Sequence, residues 1–196
     1  MLHKLLEKYE VILGSGSPRR KELLEQMGLD FKVETRNTEE YYPTDLSPAE
    51  TAVFLSRLKA QAFEHTFFSS GKLLITADTI VVLNGKIMGK PTGREGAVSM
   101  LRELSGKHHE VITGITLRTV SKEHSFYAVT KVFFKALSDE EITYYVDHFQ
   151  PFDKAGAYGI QEWIGHAAVE KIEGSYFNVV GLPTHQLYEE LMGFCK

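Results

Sequence analysis

Several segments of this 196-residue chain carry residue types suited to holding a phosphorylated ligand. Gly14-Ser15-Gly16-Ser17-Pro18-Arg19-Arg20 follows a short apolar stretch and opens a helical pattern. Small residues let backbone N–H groups approach an anion, and a helix N-terminus adds a favourable dipole. Arg19 and Arg20 oppose that dipole in the first turn. A bound polyphosphate removes the conflict, because guanidinium forks pair with phosphate oxygens. The same residues also suit a flexible turn with a solvated basic end, and the GKS/T ending of a Walker A loop is missing.

Asp78, in Thr76-Ala77-Asp78-Thr79, interrupts an apolar stretch. Aspartate is disfavoured in strands and seldom buried without a partner. It reads either as an acid beside a cleft, cation or metal, or as a structural group bonded to nearby backbone. Lys59 and Lys90 are cleft cations or surface lysines. Glu39 or Glu40, together with Asp78, has the chemistry to hold a hard divalent cation. From Phe152 to Gln161, small residues surround one aromatic, and the Gln161 amide offers a donor and an acceptor suited to a base edge. A connecting loop with turn glycines is the alternative there, and equally for Gly174-Ser175-Tyr176-Phe177-Asn178. The eight histidines lack zinc-ligand spacing, and no Ser-His-Asp or Cys-His arrangement is recognisable.

The elements that must position these groups are signed locally. Ser17-Pro18 marks a helix start and Gly28 a stop. Ser47-Pro48-Ala49-Glu50, Thr92-Gly93-Arg94-Glu95 and Ser138-Asp139-Glu140-Glu141 match the capping-box pattern ahead of apolar residues at helical spacing. Strands are expected at 10–13, 31–34, 73–83, 111–119, 125–134 and 167–172, with Asn84-Gly85 as a hairpin turn and a last helix near 184–192. Mixed βα units and hairpins mean an α/β fold with a mixed sheet and flanking helices, in one domain over 1–196.

Composition excludes several classes. A formal net charge of −4 with no basic block argues against nucleic-acid and membrane-surface partners. The single Cys195 cannot form an internal disulfide and fits a reducing cytoplasm. The charged start MLHKLLEKYE does not read as a signal peptide, and no apolar run approaches the ~20 residues of a membrane span.

Taken together, Ser15 to Arg20, Lys59-Ala60, Ala77-Asp78-Thr79, Gly89-Lys90-Pro91, Thr113-Gly114, Asp153 to Gln161, and Gly174-Ser175-Tyr176 with Gly181-Leu182-Pro183 give a sequence that resembles the Maf family of nucleoside-triphosphate pyrophosphatases, once described as septum-formation inhibitors. The resemblance implies two lobes around a deep cleft, as in inosine-triphosphate pyrophosphatases. It implies cleavage between the α and β phosphates with a divalent metal, Mg²⁺ or Mn²⁺, in a homodimer with a house-cleaning role and a link to cell-division arrest. Asp153 to Gln161 looks like the branch acting on dTTP, UTP or modified pyrimidine nucleotides. Asp78 then matches the proton acceptor, with Asp78 and Glu40 toward the metal. Ser15, Ser17, Arg19, Arg20, Lys59, Thr79, Lys90 and Gln161 match the substrate side. A nucleotide-binding regulator of septum formation without turnover is the rival reading. The chain departs from the family pattern at Gly14, where alanine is common, at Glu162, where glycine is common, and at Thr184, where an aliphatic residue is common.

Overall fold

Ser17 accepts the Arg20 amide and Pro18 presets the first turn, so a helix begins where the sequence places it. Reciprocal capping boxes at Ser47/Glu50 and Ser138/Glu141 start two more. The computed structural model describes residues 1–39, 41–68 and 71–196. In chain order these form α1 (Leu2–Leu6), β1 (Glu10–Leu13), α2 (Pro18–Gln26), β2 (Lys32–Val33), α3 (Pro48–Gln61), a 3-10 turn (His65–Phe68), β3 (Lys72–Leu83) and β4 (Lys86–Met88). There follow α4 (Gly93–Leu104), β5 (His108–Arg118), β6 (Glu123–Phe134), α5 (Asp139–Phe149), a 3-10 turn (Ala155–Ala157), α6 (Trp163–Ala167), β7 (Val169–Glu173), α7 (Tyr176–Val180) and α8 (Thr184–Phe194).

The strands form one seven-stranded mixed sheet in the order β2-β1-β3-β5-β6-β7, with β4 added to β3. β1 runs parallel to β2 and β3, whereas β3–β4 and β6–β7 are antiparallel. Asn84 (φ +51°) and Gly85 (φ +77°) turn the β3–β4 hairpin with both central residues left-handed, the type I′ geometry that this dipeptide favours. Among the described residues, no helix is long and apolar enough to cross a membrane.

Four expectations need correction. Strand 31–34 shrinks to Lys32–Val33, because β2 is an exposed edge strand beside β1. Residues 163–167 coil into α6, so β7 starts at Val169. Tyr176 to Asn178, read as loop, belong to α7. Thr92 makes no side-chain cap bond, since left-handed Gly93 (φ +66°) turns the entry of α4 away from capping geometry.

The chain divides into two units, one of residues 1–78, 113–128 and 181–196, the other of 79–112 and 129–180. In the first, Ile12, Ala60, Phe63, Phe68 and Leu74 pack between β1, β3 and α3. In the second, Val81, Leu101, Val111, Phe134, Ile142, Tyr145, Tyr158 and Ile164 share one core.

His108 and His109 point to opposite faces of β5, the first exposed and the second 1 % exposed. His109 Nε2 lies 2.7 Å from the Tyr158 hydroxyl, edge-on to Phe134 and Tyr158. Burial, with a smaller contribution from His108, pulls its pKa down from 6.5 to about 4. The unfolded chain therefore binds more protons between those values. Stability from this group is complete above about pH 6.5 and lost as pH falls toward 4, by about 3 kcal/mol. Urea midpoints measured from pH 7 to 4.5 should fall more steeply for the natural protein than for His109→Gln; parallel profiles would contradict this.

Candidate active site

In the first unit, the turn after β1 begins at Gly14, whose N–H donates to the Ile75 carbonyl at 2.8 Å. A Cβ on Gly14 would sit 2.7 Å from Thr76 Cγ2, so glycine lets this turn lie against β3. The turn is braced from within. Ser15 Oγ accepts the Ser17 N–H at 3.3 Å and Arg20 Nη1 at 3.1 Å. Arg20 Nε donates to the Gly181 carbonyl at 2.9 Å. Arg20 is only 9 % exposed. It is thus committed to holding the turn and the Gly181 segment together, as well as being a cation. Arg19, beside it, is half-buried, and Ser17 caps α2.

Lys59, in the last turn of α3, donates from Nζ to Asp78 Oδ1 on β3. The two side chains are 20 % and 11 % exposed, so the pair is largely shielded from water. Helix and strands are fixed in register by buried hydroxyls. Ser56 Oγ lies 2.8 Å from Thr116 Oγ1, and Thr76 Oγ1 donates to the Ser56 carbonyl at 2.7 Å. The partner seen for Asp78 is therefore a cation on a neighbouring helix. Thr76, two residues earlier on the same strand, is bonded to backbone.

The second unit begins at half-buried Thr79, next to Asp78 along β3. Lys90 is exposed after β4, and its segment is tied to the 153–161 loop where the Gly156 N–H donates to the Gly89 carbonyl at 3.1 Å. Gly156 is left-handed (φ +69°) and a Cβ there would press on Val81 at 3.0 Å, so this loop requires glycine twice over. Gln161 is exposed at its end. Around it, the Tyr145 hydroxyl donates to Glu162 Oε2 and accepts the Gly159 N–H at 3.0 Å. Lys154 Nζ lies 3.2 Å from Glu162 Oε1 and 2.8 Å from Asp153 Oδ1. Burial first, then the bond to Glu162, pushes the Tyr145 phenol well above its usual range, so it remains a protonated donor. Sequence reasoning missed Tyr145 and Lys154 as parts of this assembly; the one signal was the unusual Glu162.

The sequence-expected residues thus fall into two groups: Ser15, Ser17, Arg19, Arg20, Lys59 and Asp78 in the first unit, Thr79, Lys90 and Gln161 in the second. Glu40 lies outside the described residues, and Glu39 is exposed. Among the described residues, no three His, Cys, Asp or Glu side chains form a cage for a metal ion. The Asp78 carboxylate still fits Mg²⁺ or Mn²⁺. Mg²⁺ is commonly held by one or two carboxylates, with substrate phosphates and water completing its shell.

A protein from Bacteroides thetaiotaomicron called dTTP/UTP pyrophosphatase is 56% identical over 187 residues, covering 95% of this chain and 96% of that one. Proteins with the same description from Cytophaga hutchinsonii (50% identical; 95% of this chain, 84% of the other) and Porphyromonas gingivalis (48%; 96% of each) also align over nearly all of this chain. Among solved structures, the Staphylococcus aureus Ham1 protein superposes on 64% of this chain and 71% of its own, with TM-score 0.46 and 15% identity. The family model described as Maf-like protein matches residues 10–194, a span that contains every motif described above, and the chain belongs to that family.

Proposed function

We propose that this protein hydrolyses dTTP and UTP to the nucleoside monophosphate and pyrophosphate. In this reading residues 1–196 act as one domain of a cytoplasmic, homodimeric house-cleaning enzyme. The observation that carries it is the shielded Lys59–Asp78 pair on α3 and β3, in a chain with relatives, 48–56% identical, called dTTP/UTP pyrophosphatase. The buried, free Cys195 is consistent with a reducing compartment.

In this mechanism Asp78 takes the proton of the water that attacks the α phosphorus, while the bond to the β-phosphate oxygen breaks. Lys59 holds the carboxylate in place. A triphosphate brings about four negative charges, offset by Arg19, Arg20, Lys59 and Lys90, with Ser15, Ser17 and the amides of their turn completing the phosphate cradle. Thr79 lies against the substrate beside the base. The Gln161 amide accepts from the N3–H of uracil or thymine and donates to a ring carbonyl, an edge that cytosine does not present. Asp78 and Glu40 would hold the divalent cation, which neutralises phosphate charge and acidifies bound water.

Incubation with dTTP and Mg²⁺ followed by phosphorus NMR tests the reading. The expected products are dTMP and pyrophosphate, with dTTP and UTP cleaved ahead of ATP and GTP. Orthophosphate with dTDP, or a purine preference, would overturn it.

A further inference from the structure

Gln161 has three rotatable side-chain bonds and stands exposed, so nothing in its own side chain fixes what it presents to a base. Its two flanks are fixed instead. Gly159, two residues before it, donates its N–H to the Tyr145 hydroxyl at 3.0 Å. Glu162, immediately after it, accepts from the same hydroxyl. The Glu162 N–H closes back on the Gly159 carbonyl at 3.0 Å, making a tight turn with Gln161 inside it. Lys154, only 10 % exposed, reaches the second oxygen of Glu162 at 3.2 Å and so ties the start of the loop to its end. A Cβ on Gly159 would come 3.0–3.2 Å from the Glu162 carboxylate, so the turn is packed directly against that group.

We propose that Tyr145, Glu162 and Lys154 form a positioning brace that fixes the direction of Gln161 and so sets the discrimination between thymine or uracil and other bases. The inference rests on the reading of Gln161 as the base-contacting residue. Tyr145 comes from α5, whose hydroxyl-bearing ring is wholly buried and stacked on Phe149, so the brace is anchored in the core of its unit. A carboxylate replaces the glycine expected at position 162, and it has found two partners whose bonds converge on the turn. Lys154 in turn neutralises Glu162, which keeps a negative charge from facing an incoming nucleotide across a short distance. None of the three residues needs to touch the substrate.

The test compares kcat/KM for dTTP and dCTP in the natural protein, Tyr145→Phe, Glu162→Ala and the double variant. Each single variant is expected to lower the dTTP-to-dCTP ratio by about tenfold, mainly through a higher KM for dTTP with kcat changed far less. The double variant should lose little more than either single one, because both cut the same brace. Glu162→Gln, which keeps the shape and loses the charge, should fall between. It also supplies the answer if Tyr145→Phe fails to fold. Folded variants with an unchanged ratio would overturn the brace while leaving the assigned activity standing. A natural protein that does not prefer dTTP would overturn the base-reading role of Gln161, and the brace with it.

Discussion

Asp78→Asn should cleave dTTP about 10²–10⁴-fold more slowly than the natural protein, the range expected when a positioned proton acceptor is removed. Asparagine fits the same space on β3, so the strand and its neighbours stay in place. What disappears is the negative charge that Lys59 now bonds and the basicity needed to take a proton from water. Lys59 keeps 20 % of its side chain in contact with solvent, so its ammonium stays hydrated when the carboxylate charge is lost. The stability loss should then stay near 1–2 kcal/mol, well below the 3–5 kcal/mol for breaking a fully buried pair. Nucleotide binding, read by calorimetry with a non-hydrolysable dTTP analogue, should change only a few-fold, because the phosphates are held mainly by the cations. A titration with Mg²⁺ separates two roles. If Asp78 serves chiefly to hold the cation, half-saturation moves to higher concentration. If it serves chiefly as proton acceptor, kcat falls at an unchanged half-saturation. Pyrophosphate release at near-normal rate would remove Asp78 from the chemistry altogether.

The features legible in the sequence are those whose cause is local. Ser17-Pro18, the two reciprocal capping boxes and Asn84-Gly85 fix their elements through bonds within four residues, and all form as read. Thr92 fails for an equally local reason, the left-handed Gly93 beside it. The candidate site was legible only as residue types. Arg20 could be recognised as a cation. That its Nε would be spent on the Gly181 carbonyl, 161 positions away, depends on how α2 and the Gly181 segment pack. Lys59 and Asp78 each looked ambiguous alone; their pairing depends on the register of α3 against β3, set by Ser56, Thr76 and Thr116. Tyr145 is wholly buried on α5. Only its hydroxyl, carried to the 159–162 turn, does something further. Glu162 was visible as an oddity without partners, because its partners come from another helix and from the start of its own loop. The bond from His109 to Tyr158 likewise joins positions 49 apart, beyond the reach of any local pattern.

Gly114→Ala should destabilise the first unit by about 3 kcal/mol or more. The reason is space, because the added Cβ would stand 2.2 Å from the Ala52 carbonyl oxygen and 2.5 Å from the Val53 nitrogen. Both are backbone atoms of α3, and a backbone cannot swing aside as a flexible side chain can. The helix is also held on that face by the Ser56–Thr116 and Thr76–Ser56 bonds, so backing away from β5 breaks buried hydrogen bonds. Lys59 lies about 10 Å farther along the same helix axis. Any tilt that relieves the clash therefore shifts its ammonium relative to Asp78, and turnover should drop even in molecules that remain folded. Gly193→Ala is the matching control. Its Cβ would meet nothing within 4 Å, and a helical glycine replaced by alanine should leave stability unchanged or raise it by up to about 1 kcal/mol. Urea unfolding of both variants beside the natural protein measures the contrast, with dTTP turnover recorded under native conditions. A Gly114→Ala protein within about 1 kcal/mol of the natural one and fully active would mean that α3 can move off β5 without carrying Lys59 away from Asp78.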